Sequence, residues 1–136
     1  MASVFLVGAG PVGMATAVGF VHLGHRVTVS DIDAARVAAF ATGEPPFFEP
    51  GLGEAVRGGL ASGWLSFTTD PLPGGRVDVA IVCVGTPSDA GGELSTTAVE
   101  TVVTGLLEAG DRVDEIAVRS TLPDEGPALL SPLPAP

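Results

Sequence analysis

Three glycines within six residues, Gly8, Gly10 and Gly13, interrupt the apolar start of the chain. The residues before them, Val-Phe-Leu-Val at positions 4–7, form a continuous apolar run, which is typical of a parallel strand buried on both faces. The residues after them stay apolar to position 23, and Pro11 stands where a first helical residue needs no N–H donor. A strand, a glycine turn and a helix in this order predict an α/β fold.

The rest of the chain repeats this alternation. Further strands are predicted at residues 26–30, 64–68, 79–84 and 116–118, and helices at residues 33–43, 52–60 and 95–108. Prolines and glycines between positions 71 and 75 exclude a helix there. Five strands joined by helical or loop crossovers predict a Rossmann-type, doubly wound parallel sheet.

The length of 136 residues fits one domain. We expect this domain to span residues 1–123. Beyond Pro123 the apolar periodicity is lost and prolines recur, so residues 124–136 are predicted to form a disordered tail.

Charge and cysteine content exclude several classes of function. The formal net charge is −10, so nucleic acid, whose phosphates need basic side chains, is not an expected partner. Cys83 is the single cysteine and cannot form an internal disulfide or a multi-cysteine metal site. The chain has only two histidines in addition to this cysteine, so no metal site is predicted. The single cysteine also makes a reducing cytoplasm the expected location.

Residues 2–24 contain no Asp, Glu, Lys or Arg, which is long enough to imitate a membrane span or a secretory leader. A leader would carry basic residues before the apolar run, and this chain has none there. A span would carry flanking aromatic or basic anchors rather than several glycines and a proline. We therefore expect no membrane association.

The glycines fit the pattern G-x-G-x-x-G between a predicted strand and a predicted helix. Each glycine has its own purpose in a dinucleotide site: a tight turn at Gly8, close approach of the backbone to a pyrophosphate at Gly10, and packing of helix on strand at Gly13. The helix N-terminus would hold the pyrophosphate through free N–H groups. The alternative is a tight strand-to-helix turn without a ligand.

Asp31 decides between the two nicotinamide cofactors. It directly follows the carboxyl end of the second predicted strand, 18 residues after Gly13. A carboxylate there accepts the hydroxyls of the adenosine ribose and repels the 2′-phosphate of NADP, so NAD is the predicted cofactor. Arg36 is either a cofactor contact or a solvated helix residue.

Four segments in order resemble the N-terminal domain of the UDP-glucose/GDP-mannose dehydrogenase family. They are VGAGPVG at 7–13, PFFEPGL at 46–52, VCVGTP at 82–87 and RSTLP at 119–123. The first is generic to dinucleotide-binding folds, whereas the other three together are specific. The resemblance implies an NAD-dependent enzyme that oxidises a nucleotide-sugar alcohol to a carboxylate by two hydride transfers, through a thiohemiacetal on a cysteine.

The resemblance also implies roles for individual residues. Val12 would lie in the glycine turn with Pro11, and Asp31 would hold the ribose. Thr86 would lie beside the cofactor and Thr121 near the nicotinamide. Both threonines follow predicted parallel strands, whose carboxyl ends collect ligands, and their alternative role is to cap those strands.

The chain departs from the family pattern in ways that bear on catalysis. Pro11 stands where the family often has Tyr, and the segment 71–75 replaces what is usually a helix. The expected continuation to a sixth strand is lost after Pro123, so we expect the sheet to be incomplete at its C-terminal edge. The family's catalytic Cys, Lys, Asn and Asp would lie beyond this point, and the chain contains no Lys or Asn. Cys83, inside an apolar strand, does not match the catalytic cysteine.

No catalytic residue is therefore predicted, and the chain alone is expected to be inactive. The leading hypothesis is the NAD-binding domain of a nucleotide-sugar dehydrogenase, with the nucleotide-sugar bound through a missing or separate domain. One alternative is a non-catalytic NAD-binding or interaction module that docks a partner through Phe47 and Phe48. Another is a truncated gene product that folds only marginally.

Overall fold

The structure, a computed structural model, describes residues 1–85 and 97–119. Its strands are β1 (Ser3–Val7), β2 (Arg26–Ser30), β3 (Leu65–Thr68), β4 (Val77–Val82) and β5 (Val113–Val118). Its helices are α1 (Pro11–His22), α2 (Ala34–Ala41), α3 (Leu52–Ser62) and α4 (Thr97–Glu108), and a 3₁₀ turn at Gly110–Arg112 precedes β5. The predicted boundary at residue 123 and the tail at 124–136 lie outside the described residues.

All described strand pairs are parallel, and the strand order is β3-β2-β1-β4-β5. The chain builds outward from β1 to β3 and then returns to the other side of β1. This order confirms the predicted Rossmann-type α/β sheet of five strands. Among the described strands β5 forms one edge, on the side where the sequence predicted an incomplete sheet.

Two predicted strands have different bounds in the structure. The fourth begins at Val77 and ends at Val82, ahead of the predicted span of 79–84. The fifth begins at Val113 rather than at residue 116, because Asp114 and Glu115 break the apolar run that the prediction relied on. An edge strand tolerates these exposed carboxylates. Both carboxylate oxygens of Asp114 accept hydrogen bonds from Arg76 Nη2, each at 2.8 Å.

Successive residues of β1 point to opposite faces of the sheet, and this alternation creates two cores. Val4 and Leu6 belong to a cluster that includes residues of α1, α2 and α3. Phe5 and Val7 belong to a second cluster completed by α4. Each of these four side chains is at most 6% exposed, so β1 is the central strand with helices on both faces.

The last residues of three neighbouring strands lie side by side. Val7 of β1 is in register with Ser30 of β2 and with Val82 of β4. The chain leaves β1 toward β2 on one side and comes back to β4 on the other, so a crevice opens where the strand order reverses. The glycine turn and Asp31 follow β1 and β2 at this edge. No helix in the described part of the chain is long and apolar enough to cross a membrane.

Candidate cofactor site

Two glycines of the turn are required by the protein itself. Gly8 has φ of +112°, and a Cβ there would lie 2.7 Å from the carbonyl carbon and oxygen of Cys83. A Cβ on Gly13 would overlap the carbonyl oxygen of Gly8. Gly8 therefore permits both the left-handed backbone and the close approach of the turn to β4, and Gly13 permits α1 to begin against the turn.

Gly10 is different, because neither the backbone nor the packing requires a glycine there. Its φ of −80° is ordinary for any residue. A Cβ on Gly10 would meet no atom of the described residues within 4 Å, and Gly10 borders a cavity. The open space over Gly10 fits a ligand group that must touch the backbone, as a pyrophosphate does in a dinucleotide site.

The N-terminus of α1 offers free donors at the same place. No described side chain caps the helix, and its first turn holds no acidic residue. Pro11 occupies the first helical position, as predicted, and the first helical hydrogen bond runs from Met14 N–H to the Gly10 carbonyl at 2.9 Å. The N–H groups of the first turn and the positive end of the helix dipole suit an anion.

Asp31 is held in place by backbone donors. Its Oδ2 accepts from Ala9 N–H at 2.9 Å, and its Oδ1 accepts from Asp33 N–H at 2.9 Å. Its own N–H donates to the Thr68 carbonyl at 3.1 Å, which fixes it between β2 and β3. The side chain is only 10% exposed, so the carboxylate is oriented before any ligand arrives.

Arg36 reaches this carboxylate from the first turn of α2. Its Nη1 lies 3.5 Å from Asp31 Oδ2, and its side chain is 39% exposed. Asp33 caps α2, as the sequence predicted, by accepting from Arg36 N–H at 3.1 Å. The cap therefore sets the position from which Arg36 extends toward Asp31.

These features surround one cavity of about 750 Å³ at the carboxyl ends of the strands. Six of the predicted site residues line it: Gly8, Gly10, Pro11, Val12, Asp31 and Arg36. Gly13 does not line the cavity, but it allows α1 to pack closely against the Gly8 carbonyl. Thr86 and Thr121 lie outside the described residues. The volume falls within the range of small-molecule and cofactor sites.

Several residues of the cavity wall were not predicted from the sequence. They come from four places in the fold: Ile32 follows β2, Pro71 lies between β3 and β4, Thr101 and Val102 belong to α4, and Arg119 follows β5. Ile32 did carry a signal in the sequence, because it is a single apolar residue between Asp31 and Asp33, outside any apolar run, and the structure leaves it 92% exposed. The others are distant in sequence from the glycine turn, and only the strand order brings them to it.

Cys83 lines the cavity but is poorly suited to nucleophilic attack. It follows β4 rather than lying inside the strand, and its N–H donates to the Val7 carbonyl at 2.7 Å. Burial raises the pKa of its thiol, and the positive charge of Arg119 only partly offsets this. A raised pKa leaves the thiol protonated near neutral pH. Among the described residues no group of His, Cys, Asp and Glu could hold a metal ion.

A second, open groove of about 560 Å³ lies along the loop before α3. Phe47 packs edge-on against Phe40 with ring centroids 5.7 Å apart, whereas Phe48 is 89% exposed. Arg57 braces the loop by donating from Nη1 to the Gly43 carbonyl at 3.0 Å. The structure thus anchors one of the two phenylalanines and presents the other.

Comparisons with known proteins agree with this geometry. A UDP-glucose 6-dehydrogenase of Bacillus subtilis strain 168 is 32% identical over 122 residues, which cover 89% of this chain and 28% of that protein. A UDP-glucose 6-dehydrogenase of Rhizobium meliloti strain 1021 is 41% identical over 87 residues, covering 63% of this chain and 20% of that protein. The chain therefore spans less than a third of the length of these relatives.

Solved structures of the same kind of dehydrogenase are similar to this chain. The UDP-glucose dehydrogenase of Pyrobaculum islandicum matches 97% of this chain and 32% of its own, with a TM-score of 0.85 and 33% identity. A ternary complex of GDP-mannose dehydrogenase from Pseudomonas aeruginosa matches 94% of this chain and 32% of its own, with a TM-score of 0.81 and 27% identity. The model of the UDP-glucose/GDP-mannose dehydrogenase family, NAD binding domain, matches residues 2–128. The chain belongs to this family and corresponds to its NAD-binding domain.

Proposed function

We propose that the chain binds NAD in the 750 Å³ cavity, with the pyrophosphate over Gly10 and the adenosine ribose on Asp31. The observation that carries this proposal is the open space over Gly10, since nothing else in the described structure accounts for a glycine there. Val12 and Gly13 would donate their N–H groups to the pyrophosphate from the first turn of α1. The cofactor, when bound, supplies a hydride acceptor.

Asp31 would select NAD over NADP. Both of its oxygens already accept backbone N–H groups, so the carboxylate cannot turn away from a 2′-phosphate without losing those bonds. Arg36 offsets part of the negative charge from 3.5 Å, and we propose that it contacts the adenosine end of the cofactor. Thr86 and Thr121, which follow β4 and β5 in the chain, remain candidates for the nicotinamide end.

Calorimetric titration of the purified chain with NAD and with NADP tests this assignment. We expect NAD to bind more tightly, because NADP would bring its phosphate against Asp31. Asp31→Asn keeps the size of the side chain and removes its charge, so it should narrow the difference between the two cofactors. The matched control is Asp78→Asn, which alters an exposed strand carboxylate that accepts from Ser3 N–H, away from the cavity. Equal affinity of the wild-type chain for both cofactors would refute the role of Asp31.

For the whole protein we propose oxidation of a nucleotide-sugar with NAD, in the cytoplasm. The relatives' names support this class of reaction, being UDP-glucose 6-dehydrogenases and GDP-mannose 6-dehydrogenases. The residues that bind the nucleotide-sugar, and the catalytic groups, would belong to a region that corresponds to the part of the relatives that this chain does not match. Within the described residues, Cys83 offers no activated thiol.

A second candidate function is an NAD-binding interaction module that docks a partner through Phe48. The exposure of this side chain, beside an anchored Phe47, favours it. Phe48→Ser should leave NAD affinity unchanged and weaken association with a partner or with a second copy of the chain. Sedimentation of labelled protein in the analytical ultracentrifuge would measure this association. The absence of any concentration-dependent or partner-dependent association of the wild-type chain would refute this candidate.

A further inference from the structure

Ser30 is a buried polar residue at the end of β2. Its relative exposure is 2%, and it is the only buried polar or charged residue among those described. Its hydroxyl donates to the Asp70 carbonyl at 2.6 Å, across to the segment that follows β3. Ser30 also lines the cofactor cavity, although no sequence motif singles it out. Its hydroxyl therefore connects the cavity to residues 69–76, which we call the strap.

The strap contains no helix, yet the structure fixes it at several points. Asp70 N–H donates to Thr68 Oγ1 at 3.0 Å, and Leu72 N–H donates to Asp70 Oδ1 at 3.0 Å. Leu72 packs against the core cluster on the α4 side of the sheet. The Pro73 carbonyl accepts from Arg112 Nη1 at 3.0 Å. The prolines and glycines at 71–75 excluded a helix between β3 and β4, and these contacts fix the segment without one.

The strap carries Pro71 into the wall of the cavity. Pro71 follows β3 and Ile32 follows β2, and the two strands are neighbours, with Ser30 in register with Thr68. Asp31 lies at the same strand ends and donates its N–H to the Thr68 carbonyl. Two apolar side chains thus lie near the carboxylate to which we assign the adenosine ribose. Apolar contacts beside a ribose site suit the flat face of a base.

We propose that Ser30 is a positioning residue that places Pro71, through the strap, against the adenine ring of NAD. The inference rests on the proposed function, since it names what holds the base of the same cofactor. Ser30 acts through its bond to the Asp70 carbonyl, one residue before Pro71. Without that bond, the strap keeps its anchors at Thr68, Leu72 and Pro73, and the segment around Pro71 becomes free to shift.

The test compares two dinucleotides that differ only in the base. NAD carries adenine, and nicotinamide cytosine dinucleotide carries a smaller pyrimidine on the same ribose and pyrophosphate. A purely structural defect would weaken both equally, whereas loss of the base wall would weaken NAD more. Calorimetry on the wild-type chain should show a preference for NAD, and Ser30→Ala should reduce that preference by about threefold to tenfold, the range that one hydrogen bond accounts for.

Three further variants make the result specific. Ser30→Thr retains the hydroxyl and should restore the preference for NAD. Arg112→Ala releases the strap at Pro73, outside the cavity, but keeps the bond from Ser30 to Asp70, so it should leave most of the preference for NAD intact. The control is Thr28→Val, which removes a hydroxyl pair with Ser66 at 3.1 Å on the exposed part of β2 and should leave the preference unchanged.

An equal loss of both affinities in Ser30→Ala, or no loss of either, would overturn the positioning role while leaving NAD binding intact. If Ser30→Ala does not fold, Ser30→Cys decides, because a thiol is close to a hydroxyl in size but is a much weaker donor: an unchanged preference for NAD in that variant overturns the inference. Failure of the wild-type chain to bind NAD at all would instead refute the proposed function, and the role of Ser30 with it.

Discussion

Replacing Gly10 by alanine separates the needs of the ligand from the needs of the fold. Gly10 is the N-cap of α1 in an extended conformation, and its Cβ position is open. Alanine is a poorer N-cap than glycine by about 0.5–1 kcal/mol. Alanine also reduces the conformational entropy of the unfolded chain, which stabilises the folded state by about 0.4–1 kcal/mol. These two effects nearly cancel, so the free energy of unfolding of Gly10→Ala should stay within about 0.5 kcal/mol of the wild type.

The effect on cofactor binding should be much larger. The added methyl occupies the space over Gly10 through which a pyrophosphate would approach the N–H groups of α1. A hydrogen bond to a charged group contributes about 1.5–3 kcal/mol, so losing one of them weakens binding by about tenfold to a hundredfold. Calorimetric titration with NAD measures this loss, and urea denaturation followed by circular dichroism measures the stability.

Gly19→Ala is the matched control, because Gly19 lies in the interior of the same helix and a Cβ there also meets open space. It should stabilise the chain by about 0.5–1 kcal/mol and leave NAD affinity unchanged. Wild-type NAD affinity in Gly10→Ala would refute the assignment of the pyrophosphate to this glycine. A large loss of stability in Gly10→Ala would show that the fold, and not the ligand, requires the glycine.

Further predictions concern the fold and the thiol. Gly13→Ala forces a Cβ into the Gly8 carbonyl and should destabilise the chain by about 1–3 kcal/mol or prevent folding, as thermal melts would show; a wild-type melting temperature would contradict the close contact. Because the pKa of Cys83 is raised, its alkylation by iodoacetamide should be slow at pH 7, accelerate only above the ordinary thiol range, and slow further when NAD fills the cavity. Mass spectrometry would follow the labelling, and rapid labelling at pH 7 would contradict burial as the dominant influence. Because β1 contributes side chains to both cores, we expect one cooperative thermal transition for the isolated chain, and a broad, gradual loss of ellipticity would favour the marginally folded alternative.

The first half of the fold was predictable because its signals are local. The apolar run of β1, the proline at the start of α1 and the cap at Asp33 each act within a few residues, and all three are confirmed. The start of β5 was missed, because at a sheet edge the pairing of the backbone does not require an apolar side chain at every second position. Sequence periodicity reports burial, and this strand is largely exposed.

The sequence by itself determined that a glycine turn must join the first strand to the first helix and that Asp31 must directly follow the next strand. Those constraints come from backbone conformation and short-range packing, which neighbouring residues encode. Only the tertiary structure decided that Pro71 and Arg119 share a cavity with this turn, and that Ser30 bonds to Asp70, 40 residues away. Such contacts depend on strand order and register, which many weak long-range interactions set together and no short stretch of sequence contains.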